Sequence, residues 1–305
     1  MNDLGFRNIG NTCYLNASLQ LLLSSPSYRE EFTEERKSLY CPLKRSARRA
    51  ICERTAPALA DFIMTTRRSF PRDFRPKQQN DAHEFLQLLL DKIGEEEKEH
   101  AISVGSDSPD SPDSHDRSSF PLSSFREKSG PYEALCSKME ADRASKIPAD
   151  RCAFLRISAV QLLSQIKCVA CDRKSHHSEF MNVLPVELRS NVTDSLRAFF
   201  STETIPQWRC ERCKSANQGA KKTYRIWGSP ECILVVLKRF SPAGNKMRTE
   251  VFPSSRIDMH EHDVSPAALE KKKHGDQKCT HVLVGFVCHF GRDNRSGHYV
   301  AFRRR

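Results

Sequence analysis

The sequence has no long apolar run and no leader of the secretory type. Its longest uninterrupted aliphatic stretch, ILVVL at 233–237, is far shorter than the roughly 20 residues that a membrane-spanning helix needs. The N-terminal residues MNDLGFRNIG lack the basic and then apolar layout of a secretory signal. We therefore expect a protein of the cytoplasm, the nucleus or both, with no membrane association. Because thiols stay reduced there, the twelve cysteines need an explanation other than disulfide bonds.

Positive charge predominates, but without the pattern of a nucleic-acid-binding module. The 305 residues carry a formal net charge of +11, and the segment 201–250 has ten Lys and Arg against four Glu, a net of +6. These basic residues are interspersed with apolar strand positions, and no repeated aromatic and basic motif accompanies them. We interpret them as a solvated basic face and do not expect a nucleic-acid partner.

Three zones differ in composition. In residues 1–99, the segments NASLQLLLSSP (16–26) and QQNDAHEFLQLLLDKIG (78–94) each predict an amphipathic helix, the second ending at Gly94. Residues 100–148 contain the polar tract SVGSDSPDSPDSHDRSS, which predicts a disordered insertion.

From about residue 150 onward, strand patterns predominate. ECILVVLKRF (231–240) predicts a strand covered on both faces, and HVLVGFVCHF (281–290) predicts a second strand. We expect one short helix in this region, near VTDSLRAFF (192–200). The third zone is therefore predicted to be built around a sheet.

Four of the cysteines form two Cys-x-x-Cys pairs, CVAC and CERC, with 38 residues between them. Two such pairs match a tetrahedral zinc site, in which each pair supplies two thiolates. The separation favours a zinc ribbon at the tips of two long hairpins, with strands and a helix between the pairs. Four reduced cysteines without a metal remain the alternative. The predicted ligands of one structural zinc ion are Cys168, Cys171, Cys210 and Cys213.

A separate cysteine and a distant histidine indicate nucleophilic chemistry. Cys13 falls at the predicted start of the first helix, and a helix N-terminus favours a thiolate over a thiol. His298 follows Gly297 and begins the strand pattern HYVAF, where its imidazole could be directed toward a thiol 285 positions earlier. A lone cysteine on a helix is more often a small core residue, so this pair alone is a weak signal.

Several longer motifs resemble one known family, the ubiquitin-specific proteases. GFRNIGNTCYLNASLQ is similar to their cysteine box, and HVLVGFVCHFGRDNRSGHYVAF is similar to their histidine box. QQNDAHEFLQLLLD, the two Cys-x-x-Cys pairs, and CILVVLKRF followed by FPSSRIDM match the family in the same order. The resemblance covers nearly the whole chain outside 100–148.

The resemblance implies a role for particular residues. The family's nucleophile falls on Cys13 and its general base on His298, and Asn8 takes the position of an asparagine whose amide faces the oxyanion. The backbone N–H of Cys13 would be the second oxyanion donor, while Asn8 could instead only brace the turn. Asp81 and Glu84 resemble the acidic residues that hold the arginine-bearing, extended tail of ubiquitin.

The resemblance also implies the fold. It is the α+β fold of a papain-like cysteine protease, with a helical thumb, an antiparallel sheet palm and zinc-ribbon fingers. The expected single catalytic domain, 1–305, comprises a thumb (1–99), the insertion (100–148), mainly fingers (149–230) and a palm (231–305). The expected activity is thiol-dependent hydrolysis of the bond after the C-terminal glycine of ubiquitin, and the expected partners are ubiquitin and ubiquitinated proteins.

One departure from the family keeps an alternative open. Family members have a third catalytic residue, an Asp or Asn, after the histidine, followed by strands that complete the palm. YVAFRRR, the sequence after His298, contains no Asp, Asn or Glu. Loss of the third group costs about 10⁴ in kcat in comparable serine triads. The alternative function is therefore a ubiquitin-binding module with weak or no catalysis.

Overall fold

A computed structural model gives the structure of the chain. It describes residues 5–35, 39–70, 80–105, 131–147, 153–214, 219–241, 245–273, 280–293 and 296–304. Most of the Ser/Asp/Pro tract of the expected insertion lies outside these ranges.

Helices form the first part of the described chain. They are α1 (Cys13–Leu22), α2 (Pro26–Thr33), α3 (Pro42–Glu53), α4 (Ala56–Ser69) and α5 (Ala82–Gly105). A proline in the first turn begins α2, α3 and α4, because its fixed φ suits a helix and its missing N–H needs no partner there. The apolar faces of these helices meet in one core, where Leu15, Phe62 and Phe85 are fully buried. Both predicted helices, α1 and α5, are confirmed.

Gly94 does not end α5, so the prediction of a stop there is wrong. The helix continues to Gly105. A Cβ placed on Gly94 would lie 2.6 Å from both Cγ and Cδ1 of Leu155. The glycine therefore permits the close packing of a neighbouring helix, α7 (Ala153–Ser158), and its lack of a side chain is a packing requirement rather than a helix signal.

Part of the expected insertion is ordered, which corrects the prediction of disorder across 100–148. Residues 131–146 form a helix, α6 (Pro131–Lys146). Its Met139 is fully buried against Leu163 and Trp227, with Leu135 and Cys136 packed beside them. These apolar residues lie on one helical face, so α6 can bury a small cluster although the preceding tract cannot.

A four-stranded antiparallel sheet follows, in the order β2-β1-β5-β4. Its strands are β1 (Val160–Cys168), β2 (Lys174–Met181), β4 (Glu203–Ile205) and β5 (Ala220–Gly228), and β3 (Leu184–Glu187) pairs elsewhere. The predicted short helix is confirmed as α8 (Val192–Phe200), whereas α7, which also lies in this zone, and α9 (Pro266–Lys273) were not predicted. Val160, Leu162 and Ile226 on one sheet face pack against Leu196 and Phe200 of α8.

Three strand pairs complete the described fold. They are the parallel pair β3 with β6 (Val235–Lys238), and the antiparallel pairs β7 (Arg256–Asp258) with β8 (Thr280–Val282) and β9 (Gly285–Phe290) with β10 (His298–Arg303). The stretch 281–290 is thus two strands rather than the single strand predicted, because its halves pair with different partners. β6 is shorter than predicted, and its apolar residues are half-buried rather than covered on both faces. Along the described chain, no helix combines the length and apolar composition that crossing a bilayer requires.

Candidate functional site

A tight turn directly precedes the first residue of α1. Gly10 has φ +110° and Asn11 has φ +49°, a region that glycine and asparagine occupy most readily. Asn16 N donates to Thr12 O at 2.9 Å, which is the first helical bond of α1. The N–H groups of the three preceding residues therefore have no intrahelical acceptor. Cys13, the first residue of α1 and 6% exposed, lies at this positive helix end.

The side chain of Asn8 holds that turn together. Its Oδ1 accepts hydrogen bonds from Gly10 N at 3.1 Å, Thr12 N at 3.2 Å and Thr12 Oγ1 at 3.1 Å. The brace considered from the sequence is therefore present. Because the oxygen of the carboxamide is engaged, its Nδ2 is fixed on the opposite side and remains a donor. Bracing and oxyanion binding are thus compatible in one side chain, and the second role stays a prediction.

The histidine and the cysteine line the same cavity. His298 is the first residue of β10, and β10 packs against α1. Cys13, Asn8 and His298 all line a cavity of about 990 Å³, which extends along the whole of β10 to Arg304. His298 is exposed, so its imidazole is open to this space. The fold thus brings to one cleft two residues that are 285 positions apart.

The two acidic residues predicted to bind substrate lie at the start of α5. The Oδ1 atom of Asp81 accepts from His83 N at 2.7 Å, and its Oδ2 accepts from the Tyr299 hydroxyl at 3.3 Å. Burial, with the Asp81 carboxylate beside it, raises the pKa of Tyr299, so the hydroxyl stays protonated and donates. Asp81 therefore already caps α5 and ties it to β10. Glu84 is exposed on the first turn of α5.

The four predicted metal ligands form one cluster. Their sulfur atoms all lie within 4.8 Å of one another, with Cys168 Sγ 3.8 Å from Cys213 Sγ and Cys171 Sγ 3.7 Å from Cys210 Sγ. A tetrahedron with metal–sulfur bonds of about 2.3 Å has edges of about 3.8 Å. Hydrogen bonds from the backbone N–H groups of Cys213 and Arg212 lower the pKa of Cys210 to about 6. A backbone hydrogen bond from Arg173 lowers the pKa of Cys171, but desolvation and the three neighbouring thiols raise it to about 11. The distances between the sulfur atoms, rather than the pKa values, therefore indicate that the cluster could hold a metal ion.

A thiol at a helix start and an imidazole at a strand start thus lie on the walls of one cleft, and these are the two groups that a cysteine hydrolase uses. The family model described as ubiquitin carboxyl-terminal hydrolase matches residues 4–305. The chain belongs to this family.

Individual relatives give the same result. Ubiquitin carboxyl-terminal hydrolase 36 of Drosophila melanogaster is 26% identical over 313 residues, which cover 97% of this chain and 26% of that protein. Ubiquitin carboxyl-terminal hydrolase 25 of Arabidopsis thaliana is 26% identical over 320 residues, covering 98% of this chain and 42% of that protein. The chain thus spans less than half the length of these relatives.

Among solved structures, the fold is similar to that of the SAGA Ubp8/Sgf11/Sus1/Sgf73 DUB module bound to ubiquitin aldehyde. The TM-score is 0.69 at 18% identity, and the match covers 98% of this chain and 61% of that chain. This likeness confirms the predicted fold class, α+β with helices, antiparallel sheet and a finger-like sheet ending in four cysteines. The limits assigned to thumb, insertion, fingers and palm stay predictions.

Two residues that were not predicted from the sequence also shape the site. Thr12 bonds to Asn8 through both its backbone N–H and its hydroxyl, and Tyr299 anchors Asp81. Each stands next to a residue that was singled out, Thr12 before Cys13 and Tyr299 after His298. A position beside a predicted site residue does not by itself indicate a hydrogen bond. The partner of Tyr299, moreover, is 218 positions away in the sequence.

Proposed function

We propose that the chain is a deubiquitinase, which hydrolyses the isopeptide or peptide bond after the C-terminal glycine of ubiquitin on protein substrates. The observation that carries this proposal is the shared cavity of Cys13, Asn8 and His298 in a chain of this family. The similar SAGA module was solved bound to ubiquitin aldehyde, which supports ubiquitin as the substrate class. Ubiquitin and ubiquitinated proteins are the proposed partners, and the cytoplasm or nucleus is the proposed location.

The reaction would proceed in two steps. The Cys13 sulfur attacks the glycine carbonyl carbon, and His298 accepts the thiol proton. The oxyanion of the tetrahedral intermediate receives hydrogen bonds from Asn8 Nδ2 and the backbone N–H of Cys13. The intermediate then collapses: the C–N bond breaks, and His298 donates the proton to the leaving amine. The ubiquitin glycine remains bound to the Cys13 sulfur as a thioester. Water, deprotonated by His298, hydrolyses the thioester and releases ubiquitin with a free carboxylate.

Substrate binding would use the start of α5. Glu84 is exposed there, and Asp81 is fixed by His83 N and Tyr299. Carboxylates at these positions would pair with the arginines of the extended ubiquitin tail. Because Tyr299 directly follows His298, its bond to Asp81 ties the start of α5 to the strand that carries the proposed base.

We also propose that the cysteine cluster holds zinc. Cys168, Cys171, Cys210 and Cys213 supply four sulfur atoms at distances that fit a tetrahedral ion. Four thiolates leave no open position for water or substrate, so the ion would stabilise the fold and take no part in hydrolysis.

The test is hydrolysis of a fluorogenic ubiquitin C-terminal amide by the purified chain. We expect turnover that His298→Ala lowers by about 10² to 10⁴, the range for an impaired base beside an already nucleophilic thiol. A folded chain that binds ubiquitin without turnover would overturn the proposal and leave the ubiquitin-binding module. Binding is measured in parallel by titration with labelled ubiquitin.

A further inference from the structure

One lysine outside the predicted site, Lys246, forms hydrogen bonds to the hairpin that carries His298. Lys246 Nζ is 2.7 Å from the backbone oxygen of His289, 3.1 Å from that of Gly291 and 3.0 Å from His289 Nδ1. An ammonium group has three donors, and here each has one acceptor. All three acceptors lie where β9 ends and the connection to β10 begins, so a single cation fixes this corner.

Backbone pairing attaches the same segment to the hairpin. Asn245 forms an antiparallel bridge with Asp293, and Lys246 forms one with Phe240. The stretch around Lys246 is therefore folded onto the connection between β9 and β10 rather than lying free beside it. The lysine is half-buried, so its bonds are partly shielded from competing water.

The His289 ring, which Lys246 holds through Nδ1, also lies against Gly297, the residue before His298. A Cβ built on Gly297 would lie 2.9 Å from His289 Cε1, and Gly297 has φ +151°, so the ring occupies the space that a side chain would need. Burial, with Lys246 beside it, lowers the pKa of His289, which keeps the ring neutral and Nδ1 able to accept.

The ring also contacts the residue after His298. The centroids of His289 and Tyr299 are 4.6 Å apart. His298 therefore stands between two residues, Gly297 and Tyr299, that both rest on the imidazole held by Lys246.

We propose that Lys246 is a positioning residue, which through His289 fixes the backbone at Gly297 and Tyr299 and so places the His298 imidazole for catalysis. This inference rests on the proposed function. Misplacement of a catalytic group by about 1 Å can cost about 10² in rate, while substrate contacts elsewhere are unaffected. The effect should therefore fall on kcat rather than on KM.

The kinetic test compares Lys246→Met with Lys238→Met on the fluorogenic ubiquitin amide. Methionine keeps an unbranched chain but has no donor. Lys238 is exposed on β6 and pairs with Glu187 at 2.9 Å, so its replacement controls for loss of a surface cation. We expect Lys246→Met to lower kcat by about 10- to 100-fold with KM within about threefold. Lys246→Arg, which keeps charged donors, should retain more activity than Lys246→Met. A kcat for Lys246→Met within twofold of Lys238→Met would overturn the inference.

A second measurement does not depend on activity. Trypsin cleavage after Arg292, followed by mass spectrometry, reports how firmly the connection is held in the intact chain. Lys246→Met should increase the rate of this cut several-fold relative to Lys238→Met. Equal rates would contradict the proposal that Lys246 holds the connection between β9 and β10. If the wild-type chain has no turnover, the proposed function fails, but the cleavage rate still shows whether Lys246 holds the connection between β9 and β10. His289→Phe, which keeps a ring but removes the Nδ1 acceptor, provides the same readout if Lys246→Met does not fold.

Discussion

The cysteine cluster and the cleft that contains Cys13 and His298 are assembled in opposite ways. The cluster takes its ligands from the ends and turns of adjacent strands, β1 into β2 and β4 into β5, so pairing of a single sheet brings the four sulfur atoms together. The cleft takes Asn8 from a turn, Cys13 from a helix and His298 from a strand. The first site depends on local register, and the second depends on how α1 packs against β10.

This difference determines what stabilises each site. In the cluster, the ligands themselves would provide the stabilisation once they bind an ion. In the cleft, uncharged hydrogen bonds and packing hold the groups, as in the three bonds to Asn8 Oδ1. Loss of one ligand should therefore disrupt the whole cluster, whereas loss of one group in the cleft should remove chemistry and leave the fold.

The largest expected effect is on the cluster. Cys210→Ser should abolish stoichiometric zinc binding, because structural zinc in small motifs contributes about 10–16 kcal/mol of binding free energy at pH 7. Metal content by mass spectrometry should fall from one ion per chain to none. Hydrogen exchange should increase at the tips of β1, β2 and β5 while α1 and α5 stay protected. Cys52→Ser, at an exposed cysteine of α3, is the control. One ion per chain in Cys210→Ser would contradict the four-thiolate site.

The next effect separates chemistry from fold in the cleft. Cys13→Ala should lower kcat by at least about 10⁴, as loss of a nucleophile does in other hydrolases. Its melting temperature should stay within a few degrees of the wild type, because only a sulfur atom is removed. Cys52→Ala should change neither quantity. Residual turnover above a hundredth of the wild-type rate in Cys13→Ala would show that another residue is the nucleophile.

A smaller effect tests the packing of α5 against α7. Gly94→Ala would normally stabilise an exposed helix by about 1 kcal/mol. Here the added methyl meets Leu155, so we expect a loss of about 1–3 kcal/mol in the free energy of unfolding, measured by denaturant titration. Adding Leu155→Ala should make the glycine substitution less costly, and the coupling is read from the double-mutant cycle. Stabilisation by Gly94→Ala alone would mean that the two helices do not approach this closely.

The smallest effect distinguishes two roles of Asp81. Tyr299→Phe removes the bond to Asp81 Oδ2 and should cost about 0.5–1.5 kcal/mol of stability with little change in KM. Asp81→Ala should cost about 1 kcal/mol through the lost cap and also raise KM for the ubiquitin amide about tenfold. If both variants change KM equally, the carboxylate acts on substrate only through its bond to Tyr299.

The two sites were not equally predictable from the sequence. The ligand spacing predicted the cysteine cluster, because two short pairs and a strand pattern leave few ways to bring four thiols together. Cys13 and His298 were identified through long motifs, since nothing in their local sequence reports a contact 285 residues away. The predictions for Gly94 and for residues 131–146 were wrong for the same reason. Gly94 packs against Leu155, and residues 131–146 pack against Trp227, and both contacts form only in the folded chain. The same holds for Lys246, whose three acceptors lie more than 40 positions ahead.

The most direct test of the central claim is to incubate the chain with ubiquitin carrying a C-terminal electrophile and to map the adduct by peptide mass spectrometry. We predict one ubiquitin per chain, attached to Cys13, with no adduct in Cys13→Ala and slower formation in His298→Ala. An adduct on a different cysteine, or none on a folded chain that binds ubiquitin, would contradict the claim that this cleft is the active site of a deubiquitinase.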